Sequence, residues 1–166
     1  MAREIEARKI AEIHVASWQT AFQNILPESV LTSVSVPEWE KKWKQILSAD
    51  RSTTLVLEQE DDNIVGIVSH SSTRDKDKDP SITGEVSALY LLPKFWGKGF
   101  GKELLKEALE RLDTSGFKEM TLWVLEINWQ ARTFYERMAF QADGTTKIKR
   151  KAGIDLHKLR YRKSLA

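Results

Sequence analysis

The sequence predicts an α/β domain in which helices cover both faces of a mixed sheet. Four segments carry apolar residues at helical spacing, and six shorter segments have the composition of strands. The two kinds of segment alternate along the second half of the chain, and this order of elements builds one sheet with helices packed on it. A length of 166 residues fits one domain, residues 1–166.

The four predicted helices are residues 5–22, 35–47, 100–112 and 130–138. The first has apolar residues at steps of three and four, and Pro27 ends it. Ser35 opens the second, because a serine followed three positions later by Glu38 is a capping box and Pro37 suits the first turn. Gly116 stops the third helix.

The six predicted strands are residues 53–58, 63–69, 82–92, 120–127, 140–150 and 156–164. Residues 120–127 are almost continuously apolar, as expected of a strand that is buried on both faces. We expect a polar hairpin turn at residues 59–63. The charged segment 71–81, which contains a proline, is predicted to be an exposed loop.

Composition excludes several classes of function. The chain has no cysteine, so it has no disulfide, thiolate nucleophile or cysteine metal site, and its three histidines lack metal-ligand spacing. We therefore expect no metal and interpret His14, His70 and His157 as structural. A net charge of +2 gives no reason to expect nucleic acid or a membrane as partner. No signal peptide or membrane span is visible, so the expected location is the cytoplasm.

The most informative stretch is a strand that runs into a glycine-rich turn, which opens the third helix. Gly97, Gly99 and Gly101 let backbone N–H groups converge, and the helix start adds further free N–H groups. Lys98 and Lys102 add positive charge beside them. This pattern predicts a phosphate site, although the turn could also bind nothing. It differs from both the G-x-G-x-x-G dinucleotide motif and the Walker loop.

Two motifs resemble those of the GNAT superfamily of N-acetyltransferases. Residues 90–105 resemble its acetyl-CoA motif, [Q/R]-x-x-G-x-[G/A], with Trp96 in place of Gln or Arg. Residues 123–140 are similar to L-x-V-x-x-x-N-x-x-A-x-x-F-Y-x-x-x-G-F, with Ala139 in place of the glycine of this motif. The residues that match the second motif are Asn128, Ala131, Phe134, Tyr135 and Phe140. Residues 10–31 resemble the opening helices of one bacterial subgroup.

The resemblance implies a GNAT fold with a twisted, mostly antiparallel sheet, whose usual first strand is short or missing here. Two adjacent strands separate in this fold, and the pantetheine arm of acetyl-CoA fills the gap. The backbone of Leu89, Tyr90 and Leu91 would pair with that arm and polarise the thioester carbonyl. The residues that would hold the pyrophosphate are Gly97, Lys98, Gly99, Phe100, Gly101 and Lys102.

The resemblance also implies roles in catalysis. Tyr135 would be the general acid for the departing thiolate, although its position also suits a core aromatic. Asn128 would support the cofactor site or cap the following helix. Glu85 is the candidate base, with Glu126 or water as rivals and a solvated surface glutamate as the plain alternative. Trp18 and Phe22 would shape the acceptor pocket, or belong to the core.

We therefore expect an enzyme that transfers an acetyl group from acetyl-CoA to a primary amine directly, in a ternary complex. The alternatives are another acyl donor, a non-catalytic acyl-CoA-binding domain and a nucleotide-binding module. Polyamines, aminoglycosides, amino acids and protein amines are all open as acceptors. An exposed edge strand would be compatible with a homodimer.

Overall fold

The computed structural model describes residues 1–60 and 63–165. Its helices are α1 (Ala7–Phe22), α2 (Glu28–Leu31), α3 (Val36–Ser48), α4 (Phe100–Thr114) and α5 (Trp129–Arg137). Its strands are β1 (Thr53–Gln59), β2 (Asn63–Ser72), β3 (Thr83–Leu91), β4 (Glu119–Leu125), β5 (Gln141–Lys151) and β6 (Ile154–Ser164). Short 3₁₀ turns cover Glu4–Glu6 and Pro93–Phe95.

The described strands form one sheet in the order β1-β2-β3-β4-β6-β5. All neighbours are antiparallel except β3 and β4, which are parallel and are joined by α4. The sheet is therefore mixed and mostly antiparallel, as predicted. The first residues form no strand, and the Ala2 N–H donates to the Thr54 carbonyl of β1 at 2.8 Å.

The helices lie on opposite faces of this sheet. The apolar face of α4, including Leu105 and Ala108, packs with Leu122 and Val124 of β4. α1 and α3 pack on the other face against β2, where Ile67 is buried. Alternation of side chains along each strand produces these two layers. The face covered by α4 is called the α4 face below, and the opposite one the α1 face.

Three local predictions differ from the structure. The Ser35 side chain makes no capping hydrogen bond, so the capping box is wrong although α3 begins there. The segment 71–81 is not simply exposed, because the half-buried Asp75 and Lys78 are ion-paired to the sheet. The predicted turn at 59–63 includes residues 61–62, which lie outside the described residues. Within residues 1–60 and 63–165, no helix combines the length and apolar character needed to cross a bilayer.

Candidate active site

The sheet opens between its two parallel strands. β3 pairs with β2 from Gly84 to Leu91, but it pairs with β4 only from Thr83 to Val86. A register shift opposite Ser87 marks the point where β3 and β4 separate, and such bulges bend a strand. Beyond it, the edge of β3 at Leu89–Leu91 and the facing edge of β4 have no strand partner among the described residues, so an extended molecule could hydrogen bond there.

A cleft of about 1100 Å³ runs through this opening. Of the site residues predicted from the sequence, those that line it are Trp18, Phe22, Leu89, Tyr90, Leu91, Gly97, Gly99, Gly101, Lys102, Asn128 and Tyr135. Lys98 and Phe100 belong to the same turn but lie beside Phe95, with Lys98 Nζ 5.5 Å from its ring centroid. The structure therefore brings together the backbone segment, the glycine turn and the tyrosine.

The glycine turn has a backbone that suits glycine. Gly97 and Gly99 have φ of +73° and +91°, which residues with a Cβ rarely adopt. Gly99 is the N-cap of α4, so the free N–H groups of the first helical turn open on the cleft beside Lys102. A Cβ at Gly101 would lie 3.4 Å from Leu91 Cδ1. Backbone N–H groups, a helix start and a lysine suit a phosphate group.

Asn128 and Tyr135 occupy the start and the cleft-facing side of α5. Asn128 Oδ1 accepts a hydrogen bond from the Ala131 N–H at 3.1 Å, so Asn128 caps the helix. The Tyr135 ring packs edge-on against Phe134 and Phe140, at centroid distances of 5.3 and 5.9 Å. Burial raises the pKa of Tyr135, and nearby Tyr90 raises it further. Tyr135 is thus a neutral phenol that partly packs in the core and partly lines the cleft.

Comparison with known proteins identifies the family. The family model described as the acetyltransferase (GNAT) family matches residues 8–140. The chain belongs to the GNAT acetyltransferase family. YuaI of Bacillus subtilis, an uncharacterised N-acetyltransferase, is 33% identical over 123 residues, which are 74% of this chain and 68% of YuaI. The chain is accordingly an acyltransferase of the N-acetyltransferase type.

Solved GNAT structures have the same fold. PaiA N-acetyltransferase from Thermoplasma acidophilum, in complex with coenzyme A, has a TM-score of 0.74 at 21% identity, over 98% of this chain and 95% of PaiA. YncA from Salmonella typhimurium, with its cofactor acetyl-CoA, has a TM-score of 0.70 at 19% identity, over 99% of this chain and 91% of YncA. At these identities the likeness shows the fold, which is that of the GNAT family.

Trp96 fills the place where the GNAT motif usually has Gln or Arg. Its indole Nε1–H donates to the Leu91 carbonyl at 2.9 Å, which ties the glycine turn to the end of β3. Leu91 is also fixed to β2 through its pairing with Gly66. The departure from the motif therefore has a structural role in this GNAT chain, which the sequence alone did not indicate.

Glu85 is buried and ion-paired, so the solvated glutamate considered from the sequence is wrong. Its exposure is 4%, its Oε1 lies 2.7 Å from Arg74 Nη2, and its Oε2 accepts the Arg74 backbone N–H at 3.1 Å. Arg74 lines the cleft, whereas Glu85 and the exposed Glu126 do not. The Glu85 carboxylate therefore holds Arg74 at the cleft and does not itself line it.

The α1 face of the cleft holds an aromatic cluster around His14. The His14 ring stacks on Tyr90 at 4.1 Å and lies 3.9 Å from Trp39, and His14 Nδ1 accepts the Trp43 indole N–H at 3.2 Å. Burial lowers the pKa of His14 to about 3. His14 is thus a neutral structural histidine that holds α1, α3 and β3 together. In the described ranges, no group of three or more acidic or histidine side chains could hold a metal ion.

The opposite wall of the cleft on this face is basic. Lys158 of β6 is half-buried, and burial, followed by the positive charges of Lys149, Lys147 and Arg74, lowers its pKa to about 8 despite nearby Glu85. Unlike the glycine turn, this group of cations has no signal in the sequence beyond alternating lysines. Of these lysines, Lys158 is half-buried, whereas Lys147 and Lys149 are exposed, and the pairing of β5 with β6 brings them together.

Proposed function

We propose that this protein transfers an acetyl group from acetyl-CoA to a primary amine in a ternary complex. The proposal is supported chiefly by one arrangement: the unpaired edge of β3, the glycine turn and the Tyr135 side chain line the same cleft. Family membership supports the enzyme class, and the arrangement supports the donor. The free strand edge suits the amides of a pantetheine arm, and the glycine turn suits its pyrophosphate.

The reaction requires few side chains of the protein. The amine nitrogen attacks the thioester carbon, the carbon–sulfur bond breaks, the thiolate gains a proton and the nitrogen loses one. Backbone N–H groups at the free edge of β3, from Leu89 to Leu91, would stabilise the negative charge that develops on the carbonyl oxygen. Holding both reactants in one cleft supplies much of the remaining acceleration.

Tyr135 is the proposed proton donor. Its pKa is raised by burial, so the phenol keeps its proton through the physiological range. Among the described residues the Tyr135 side chain makes no hydrogen bond, and it lines the cleft, which leaves the hydroxyl available to a thiolate. Because Glu85 is ion-paired to Arg74, we propose that a water molecule accepts the proton from the amine. Glu85 is then the candidate base that takes the proton from this water.

The test is a Tyr135→Phe substitution with Tyr161→Phe as the matched control. Tyr161 is buried and donates to Glu136 at 2.8 Å, away from the cleft lining. Loss of a general acid typically costs about 10²–10⁴-fold in turnover. We expect Y135F to lose that much in kcat with its acetyl-CoA affinity within about twofold of wild type, and Y161F to keep its kcat.

Thiol release over a panel of amines, together with calorimetric titration of acetyl-CoA, gives both quantities. An unchanged kcat in Y135F would remove Tyr135 from the mechanism. Tight binding of acetyl-CoA without thiol release from any amine would indicate a non-catalytic acyl-CoA-binding domain. Faster turnover with propionyl-CoA or succinyl-CoA would indicate another donor.

A further inference from the structure

The charged residues that line the cleft are all basic within residues 1–60 and 63–165. They are Arg51, Arg74, Lys102, Arg137, Lys149, Lys151 and Lys158. The protein as a whole is almost balanced, with 26 basic and 24 acidic side chains. A one-sign lining in a nearly neutral protein is a local feature of the cleft, and it focuses potential on whatever binds there.

Three of the lysines, Lys149, Lys151 and Lys158, lie on the α1 face of the sheet, away from the glycine turn and its Lys102. Lys158 pairs directly with Leu125, and Lys149 pairs with Leu156. Directly paired residues project from the same face, and Leu125 and Leu156 pack against Phe22 of α1. The glycine turn opens α4, which covers the other face. The phosphates of acetyl-CoA therefore do not account for these lysines.

These lysines have no acidic partner. Lys149, Lys151 and Lys158 form no ion pair with any described residue, although other basic residues of the same hairpin do. Arg150, on the opposite face of β5, pairs with Asp155 at 3.2 Å. Lys151 Nζ lies 6.0 Å from the ring of Trp18, on the acceptor side of the cleft. The positive charges of these three lysines repel one another, and the nearby Glu38 and Glu85 offset that repulsion only in part, so a bound anion would relieve it.

From this placement we infer that the amine acceptor also carries an anionic group, a carboxylate or a phosphonate, held by Lys149, Lys151 and Lys158. The inference rests on the proposed function and names its substrate class. Of the acceptors open from the sequence, amino acids and related amino anions fit. Polyamines and aminoglycosides are polycations and would meet like charge at every charged residue of the cleft lining.

The test compares matched acceptors that differ only in the anion. Thiol release from acetyl-CoA is measured with the proteinogenic amino acids, their carboxamides, aminoalkyl phosphonates, spermidine and one aminoglycoside. Binding of the N-acetyl amino acids and N-acetyl carboxamides to CoA-saturated protein is measured by calorimetry. We expect at least one amino acid or phosphonate to exceed its neutral analogue by about tenfold or more in kcat/KM and in affinity.

The variant Lys149→Gln/Lys158→Gln should lose about 10–100-fold in kcat/KM and in affinity for the anionic member and little for the neutral one. Arg150→Gln removes a charge from the same hairpin on the opposite face and should change neither. The double variant should melt no lower than wild type, because it removes repulsion. A preference for neutral or cationic acceptors overturns the inference, as does failure of every anionic member to react and to bind.

The two proposals can fail separately. Absence of thiol release from any amine, with N-acetyl amino acids still binding through Lys149 and Lys158, would overturn the enzyme proposal and keep the anion site. Turnover of neutral amines at undiminished rate in the double variant would keep the enzyme and overturn the anion site. Amino acids and aminoalkyl phosphonates of the same chain length are compared, so the test also shows whether the anionic group is a carboxylate or a phosphonate.

Discussion

Arg160 is the residue whose removal should do most damage to the architecture of the cleft. Its side chain is 3% exposed and donates five hydrogen bonds, to Asp143, Asp75, Asp77 twice and Thr145, at 2.7–3.1 Å. These bonds tie the β2–β3 loop to the end of the sheet. Replacement by methionine keeps an unbranched apolar stem but removes the guanidinium, which leaves the three carboxylates facing one another without their cation.

The loss of stability in Arg160→Met depends on which of the three carboxylates are buried. Asp143 and Asp75 have side-chain exposures of 9% and 15%, whereas Asp77 is 59% exposed and can return to water. Breaking a buried ion pair by removing one partner costs about 3–5 kcal/mol, and the lower end applies because Asp77 escapes. For a domain of this size about 1 kcal/mol shifts Tm by 2–4 °C. Arg160→Met should therefore lower Tm by about 6–12 °C.

The control is Arg162→Met, two residues along the same strand. Arg162 is 56% exposed and has one ion pair, with Glu119 at 3.1 Å, which is worth at most about 1 kcal/mol. Scanning calorimetry at pH 7 gives both Tm values. If Arg160→Met melts within about 3 °C of Arg162→Met, the network does not hold the loop and the reasoning is refuted.

The same network predicts an acid response. A hydrogen bond from Arg160 lowers the pKa of Asp77 to about 2, and Asp143 is lowered too, because hydrogen bonds from Thr145 and Arg160 outweigh burial. A carboxyl whose folded pKa is depressed stabilises the protein above its unfolded pKa and loses that stabilisation as pH falls through the folded value. Between about pH 4 and pH 2, wild type should lose more stability than Arg160→Met.

Two further predictions concern the glycine turn and the aromatic cluster. Gly99→Ala places a Cβ at φ +91° and should weaken acetyl-CoA binding about tenfold, besides costing roughly 1–2 kcal/mol of stability. The control Gly116→Ala, at φ +92° and the far end of α4, should cost the same stability without affecting binding. Equal affinities of the two variants in calorimetry would contradict the role of the turn. The pKa of His14 is about 3 in the folded protein and 6.5 ordinarily, so at a pH between these values His14 takes up a proton when the protein unfolds. This protonation should lower the free energy of unfolding by about 1.4 kcal/mol for each pH unit from pH 6 towards 3. Denaturant titrations between pH 6 and 4.5 should show that His14→Gln removes this pH dependence. The control His157→Gln, which changes an exposed histidine, should keep it. The same pH dependence in wild type and both variants would contradict the buried neutral state of His14.

Features that depend on neighbouring residues were predictable from the sequence. The positive φ at Gly97 and Gly99, the Asn128 cap and every long helix and strand follow from local composition and spacing. The short helix α2 was missed, since four residues carry no periodic signal. Ala139 adopts φ +63° where the family motif has glycine, so that departure places a strained alanine at the end of α5.

Features that depend on distant residues were not predictable. Arg160 reaches Asp75 across 85 positions, and Glu85 meets Arg74 only because a loop turns back onto its strand. The basic wall around Lys158 arises from the register of β5, β6 and β4, which a single sequence does not state. A shift of one residue would have turned these lysines to the other face.

Binding of acetyl-CoA in the cleft can be measured by thermal shift with acetyl-CoA, CoA, ATP and NAD at matched concentrations. A ligand that binds only the folded protein at about 100 times its Kd adds roughly 2.7 kcal/mol to stability, which is about 5–10 °C in Tm here. We expect such a rise with acetyl-CoA and CoA and none of that size with ATP or NAD. No rise with either CoA compound, or a larger rise with a nucleotide, would contradict it.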